Sequence, residues 1–148
     1  MAGRPGYRGG AGHHDRRFSR HRDDRRGDGR GERRGDHHGD ARLISLQVLT
    51  KVRDDDAYAN LVLPGLLEEA GLSRRDAGFA TALTYGALRL RGRYDAIVAH
   101  CVDRPLSRVD GVVLDLLRLG AHQLLGMRVP SHAAVSATVA LAVHSAGR

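Results

Sequence analysis

The sequence contains a single cysteine and no long apolar segment. One cysteine excludes an internal disulfide and fits a reducing compartment. No apolar segment approaches the roughly 18 residues that a membrane-spanning helix needs, and the first residues are charged where a secretory signal needs an apolar centre. These absences predict a soluble, cytoplasmic protein with no membrane partner.

Residues 1–40 lack leucine, isoleucine and valine altogether. They contain eleven arginines, no lysine, ten glycines and seven acidic residues, so they cannot bury enough apolar surface to offset the entropy lost on ordering. We therefore predict a disordered Arg/Gly-rich tail over residues 1–40 and a folded domain over residues 41–148. Arginines on a glycine-rich backbone suit contact with RNA and also suit simple solvation, and both interpretations stay open.

The sequence also lacks the spacings of catalytic and metal sites. His100, His122, His132 and His144 form no His-x-x-x-His pair, and there is no Cys-x-x-Cys. Cys101 follows His100, and adjacent residues on a helix point too far apart to pair as nucleophile and base, so we predict a small core residue there. Without strands there is no doubly wound nucleotide pocket. We predict no catalytic, metal or cofactor site in this chain.

The rest of the chain carries the apolar spacing of helices and no strand alternation. Asp40 is the predicted N-cap of a first helix that ends in the acidic run at residues 54–56. A second apolar segment runs from Tyr58 to Gly71, and a Pro-Gly dipeptide at residues 64–65 is expected to kink it or to force a restart. These segments predict the first two helices of the domain.

Two segments have the form of a helix capping box, in which a hydroxyl residue is followed three positions later by an acid. They are Ser73-Arg-Arg-Asp76 and Ser107-Arg-Val-Asp110. The first predicts a helix rich in alanine and glycine that ends near Arg89. The second predicts a helix that runs to about Met127.

Two more helices complete the predicted fold. One covers residues 94–102. The other is capped by Ser131, with Val135, Val139 and Leu141 facing inward. The predicted fold is all-α, a bundle of about six helices joined by short loops.

Residues 112–125 are predicted to form the centre of this bundle. Their apolar and small residues cover most of a helix's circumference, and such a helix cannot lie on a surface. Gly120 allows a neighbouring helix to approach closely. Asp115, Arg118 and His122 gather into one narrow polar stripe, which we interpret as a surface or interhelix hydrogen-bond network rather than a site.

The net charge of +7 favours a polyanionic partner such as RNA. Arg89, Arg91 and Arg93 crowd the end of the third predicted helix, where they either complement the helix dipole or contact phosphate. If RNA is bound, the candidate phosphate contacts are these three arginines together with Arg42 and Lys51 on the first helix.

Five segments, taken together and in order, carry a family resemblance. They are Tyr58-Ala-Asn-Leu-Val-Leu-Pro64, Leu83-Thr-Tyr-Gly-Ala-Leu-Arg89, Tyr94-Asp-Ala-Ile97, Leu117-Arg-Leu-Gly-Ala-His-Gln-Leu-Leu125 and Arg128-Val-Pro-Ser-His-Ala-Ala-Val135. Over residues 42–146 the chain resembles the NusB-like amino-terminal domain of RsmB-type (Sun family) small-subunit rRNA cytosine-C5 methyltransferases. More distantly it resembles the free antitermination factor NusB, which usually has Glu where Gln123 stands.

The resemblance implies an RNA-binding accessory domain that helps to hold 16S rRNA for a separate catalytic domain. In the full-length family that catalytic domain brings S-adenosylmethionine and two catalytic cysteines; Cys101 matches neither, and no cofactor is expected in this chain. One alternative is a free-standing NusB-type regulator of transcription antitermination that pairs with a ribosomal protein. Another is a protein–protein module whose tail only solubilises it.

The family domain continues with a further helix, so the resemblance also implies that this chain is incomplete at its carboxyl end. Part of the central helix's apolar surface is then expected to be exposed, with low stability or self-association as the result.

Overall fold

The computed structural model describes the backbone of residues 37–146 and the side chains of residues 41–145. This part of the chain is all-α, as predicted. It contains six α-helices and one short 3-10 turn at Leu106–Arg108. The helices are α1 His37–Asp54, α2 Ala59–Ala70, α3 Arg74–Arg89, α4 Arg91–Cys101, α5 Gly111–Leu125 and α6 Ser131–Ala146. The predicted tail lies almost wholly outside the described residues, so its division from the domain stays a prediction.

The core lies between α1, α3, α5 and α6. Helix α1 contacts α2, α3, α5 and α6, and helix α5 contacts α1, α3, α4 and α6. The principal cluster is built from leucines and one alanine: Leu46, Leu49, Leu83, Ala87, Leu116, Leu119 and Leu141. A smaller cluster joins α1 to α2 through Ile44, Val48 and Leu63. Helices α1 and α5 therefore share the central position that the sequence assigned to α5 alone.

Local signals explain several helix ends. Asp76 donates its backbone N–H to the Ser73 hydroxyl over 3.1 Å, and that hydroxyl donates to the Asp76 carboxylate over 2.7 Å, so the first predicted cap is confirmed. Helix α2 ends at Gly71, whose φ of 57° is the left-handed conformation that glycine adopts without strain. It runs through Pro64 without a restart.

Other predicted boundaries are wrong. Helix α1 begins at His37, one turn before the residue predicted to cap it. Helix α5 is capped by Asp110 rather than Ser107, because the Asp110 carboxylate accepts from the backbone of Val112 and Val113 over 2.9 and 3.1 Å. The serine belongs to the 3-10 turn instead.

Helix α6 turns a different face inward from the predicted one. Its core residues are Ala134 and Leu141, whereas Val135 and Val139 are 52% and 56% exposed. Only the inward position predicted for Leu141 is confirmed. Alanine and valine occur on every side of this helix, so the sequence contains no polar face that would orient it.

Helices α5 and α6 pack closely but leave an apolar surface uncovered within the described residues. A Cβ added to Gly120 would lie 3.4 Å from the Thr138 hydroxyl, which confirms the close approach predicted there. Apolar residues at helical spacing on both helices remain at least one-third exposed. We call them the α5–α6 stripe: Val113, Leu117, Leu124, Val135, Val139 and Val143. The expected exposure of apolar surface on α5 is therefore present.

Two leucines on α5 lie on opposite kinds of surface, one buried and one exposed. Leu119 is 1% exposed and Leu117 is 36% exposed. We expect Leu119→Ala to lower the free energy of unfolding by about 2–5 kcal/mol, because it removes buried methyl groups and leaves a cavity. The same change at Leu117 should lower it by less than about 1 kcal/mol. Urea denaturation of both variants measures the difference, and equal losses would contradict the assigned faces.

Candidate nucleic-acid interface

Three of the predicted phosphate contacts meet where α3 gives way to α4. Arg89 is the last residue of α3, and Arg91 and Arg93 lie in the first turn of α4, with Leu90 as the break between the helices. All three arginines are exposed. We call Arg89, Arg91 and Arg93 the junction arginines.

The helix dipole accounts for only one of them. Arg89 lies at a helix carboxyl end, where a cation is stabilised. Arg91 and Arg93 lie at a helix amino end, which is itself partly positive, so the dipole gives no reason for cations there. The prediction that all three end one helix is wrong, because α4 begins three residues earlier than the sequence suggested.

Acidic side chains of the described residues neutralise the junction arginines only weakly. Arg91 Nε lies 4.0 Å from an Asp95 carboxylate oxygen, at the limit of an ion pair, and its side chain is 50% exposed. Arg89 and Arg93 form no ion pair with any residue between 41 and 145. Two guanidinium groups are thus available to an external anion.

A row of alternating charges lies beneath this surface and fixes the start of α4. Arg118 donates to both Asp95 carboxylate oxygens over 2.7 and 2.9 Å, and to Asp115 over 2.8 Å. The other oxygen of Asp115 accepts from Arg53 on α1, which also binds Asp54. We call Asp54, Arg53, Asp115, Arg118 and Asp95 the charge ladder. It confirms an interhelix network on α5 rather than a surface one.

The middle of the charge ladder is shielded from water. Asp115 is 2% exposed and Arg118 is 4% exposed. Burial raises the pKa of the Asp115 carboxyl, and the guanidinium groups of Arg118 and Arg53 oppose that shift. Since both guanidinium groups bind it directly, the ionised carboxylate has the partners that a buried charge requires.

His122, the third member of the polar stripe, is held separately. Its Nδ1 lies 2.7 Å from the Tyr94 hydroxyl on α4. A Cβ added to Gly86 would lie 1.9 Å from Nε2, and one added to Gly126 would lie 2.5 Å from Nδ1. Two glycines therefore leave the space that the imidazole fills.

A groove of about 910 Å³ opens beside this histidine, between α3 and the end of α5. Thr81, Tyr85 and Arg89 project from α3 at intervals of four residues, and His122 and Met127 form the opposite wall. None of the residues that line it is acidic. The sequence did not point to this groove, although Tyr85 and Arg89 share a helical face.

The other two predicted phosphate contacts lie elsewhere. Arg42 is 6% exposed, donates from Nε to the Gln123 side-chain oxygen over 2.6 Å, and lies 4.9 Å from the centre of the Phe79 ring. Its prediction as a phosphate contact is corrected, because the face of α1 that carries it turns into the core. Lys51 is exposed and lines a different groove, in which Asp54 and Asp55 also lie.

Two further observations bear on chemistry. Cys101 is exposed at the end of α4, so the prediction of a core cysteine is wrong. Within the described ranges, no group of histidine, cysteine, aspartate and glutamate is arranged to hold a metal ion. No helix of residues 37–146 is long and apolar enough to span a bilayer.

The family follows from comparison with known proteins. The model of the NusB family matches residues 39–148. The chain belongs to the NusB family. The resemblance drawn from the five segments is thereby confirmed, and the bundle with its buried charge ladder is the form that this NusB-family chain takes.

Curated relatives of the NusB-family chain carry methyltransferase names. A putative methyltransferase of Mycobacterium tuberculosis is 54% identical over 99 residues, which are 67% of this chain and 22% of the relative. The ribosomal RNA small subunit methyltransferase B of Pseudomonas putida is 34% identical over 101 residues, 68% of this chain and 23% of the relative. A probable enzyme of that name from Bacillus subtilis is 31% identical over 102 residues, with the same coverages. The chain thus spans less than a quarter of these relatives, and no solved structure matches it.

The charge ladder gives a stability prediction for the NusB bundle. We expect Asp115→Asn to lower the free energy of unfolding by about 3–5 kcal/mol, because it removes the buried carboxylate that both Arg118 and Arg53 bind and leaves them paired with the more exposed Asp95 and Asp54. Asp54→Asn, at the exposed end of the same ladder, should have a far smaller effect, since solvent screens that pair. Chemical denaturation compares the two, and a similar loss in both would refute the buried role of Asp115.

Burial of His122 gives a pH prediction. Burial lowers the pKa of this imidazole below its usual value of 6.5. The unfolded chain then binds the proton more readily, so stability should fall as the pH decreases below about 6.5. In His122→Gln this part of the pH dependence should disappear, whereas exposed His132→Gln should retain it. Thermal melts between pH 5 and pH 8 measure the slopes, and an unchanged slope in His122→Gln would contradict the prediction.

Proposed function

We propose that this NusB-family chain is an RNA-binding accessory domain of the rRNA cytosine-C5 methyltransferase type. In this proposal it helps to hold small-subunit rRNA, while methyl transfer and its S-adenosylmethionine belong to a separate catalytic domain. The family match supports this division, and so do the methyltransferase names of relatives of which the aligned residues make up less than a quarter. A cytoplasmic location follows from the same proposal.

One observation supports RNA contact most directly, the exposed junction arginines. Phosphate oxygens are the natural partners of guanidinium groups, which bind them in pairs of hydrogen bonds. Arg89 and Arg93 are four residues apart across nearly continuous helices and have no ion pair among the described residues. Lys51 is a weaker proposed contact because acidic side chains line the same groove.

The alternative of a free-standing antitermination regulator that pairs with a ribosomal protein has less support. The relatives described above are named as methyltransferases. Free NusB usually has a glutamate where this chain has Gln123. Both the oxygen and the nitrogen of the Gln123 side-chain amide form hydrogen bonds. Its oxygen accepts from Arg42 over 2.6 Å, and its nitrogen donates to the Leu119 carbonyl over 3.3 Å and lies 3.4 Å from the Thr138 hydroxyl. A carboxylate would supply no such donor.

The proposal is tested by titrating a structured fragment of small-subunit rRNA at several salt concentrations. We expect affinity to fall steeply with salt, because binding to phosphates releases counterions. Replacing all three junction arginines with alanine should weaken binding and reduce the slope of log affinity against log salt by about 2–3.

A matched control removes the same charge elsewhere. Arg74, Arg104 and Arg108 are exposed at other places on the chain, so their triple alanine variant should change binding much less. Absence of salt-dependent binding by the unaltered chain would refute the proposed function. Equal losses in the two triple variants would refute the assigned contacts.

A further inference from the structure

The groove between α3 and the end of α5 has features that contact with an RNA phosphate backbone does not need. Tyr85 lines the groove beside Arg89, and this aromatic residue is 40% exposed. The groove is an open surface depression of about 910 Å³, lined mostly by small and apolar side chains. The groove can therefore admit a planar group, which a phosphate contact does not need.

The walls leave the tyrosine ring accessible. Gly78 on α3 has no atom within 4 Å of the place where a Cβ would stand, so the groove is open one turn above Thr81. On the other side, Gly86 and Gly126 leave room for the His122 ring, because a Cβ at either position would collide with it. The Tyr94 hydroxyl holds this histidine through Nδ1, and the buried ring forms a wall of the groove.

The positive charge beside the groove favours an anionic ligand. Arg89 lines the groove, and Arg93 follows one helical turn later. Both guanidinium groups lie close enough to Tyr94, beside the groove, to lower its pKa, although burial raises it overall. With no acidic residue in the lining, the groove suits a ligand that is planar at one end and anionic at the other. An unpaired nucleotide has this form.

We propose that this groove binds an unpaired base of RNA, which stacks on Tyr85 while its phosphate contacts Arg89. The inference rests on the proposed RNA-binding function and specifies the form of RNA recognised. Bases in a duplex are stacked on one another and cannot enter, whereas bases in loops and single strands are free to stack on an aromatic side chain. The domain would thus prefer RNA with an unpaired segment next to a helix.

The test compares two RNA probes of equal length and charge, a blunt hairpin and a hairpin with a single-stranded extension. Tyr85→Ala should weaken binding of the extended probe by roughly 5- to 150-fold and leave the blunt probe and the salt slope unchanged. Tyr85→Phe should retain binding, because the ring is kept. Tyr58→Ala removes another exposed tyrosine and serves as the matched control, with no change expected.

A fluorescent base reports the stacking directly. 2-Aminopurine placed in the extension should be quenched by the unaltered chain and by Tyr85→Phe, and much less by Tyr85→Ala. Circular dichroism melts confirm that each variant is folded.

Failure of this inference is distinguishable from failure of the proposed function. If neither probe binds, the proposed function is wrong and the groove assignment falls with it. If both probes bind equally and Tyr85→Ala changes neither, while the junction-arginine variant loses both, RNA binding stands and the groove assignment is wrong. Binding of the extended probe that survives loss of the ring would likewise overturn it.

Discussion

A carboxylate buried between two guanidinium groups ties three helices of this bundle together. Asp115 on α5 binds Arg53 from α1 and Arg118 from its own helix, and Arg118 in turn holds Asp95 on α4. Charges removed from water are tolerated only when each has a partner, so the three helices have one relative position that satisfies them all. Leucine packing supplies the bulk of the stability, but leucines alone tolerate small shifts in register. The ladder does not.

The position of the candidate interface follows from that constraint. Because Asp95 anchors the first turns of α4, the break at Leu90 is fixed, and the junction arginines are presented from two helix ends rather than from a loop. The groove beside the junction arginines depends on a second constraint, the small size of two glycines in its walls. Gly86 and Gly126 have no side chain, so the His122 ring fits between α3 and the end of α5. The groove lies beside this ring.

Signals carried by neighbouring residues predicted most of the fold, and properties set by distant contacts were missed. The cap at Ser73, the glycine that ends α2 and the polar stripe on α5 are all readable within a few residues. The burial of Arg42 was not, because it depends on Gln123, which is 81 positions away. The groove was missed for the same reason, since its two walls come from α3 and the end of α5. The inward face of α6 was missed because its sequence offers apolar residues on every side.

The α5–α6 stripe has a practical consequence for anyone who handles this chain. Dyes such as anilinonaphthalene sulfonate fluoresce on exposed apolar surface, and that signal is commonly taken as the mark of a molten globule. Here the surface belongs to helices whose other faces are closely packed, so a natively packed chain presents it too. Near-ultraviolet circular dichroism separates the two states. Tyr94, 1% exposed and held edge-on to His122, retains a fixed aromatic environment only while the core is packed.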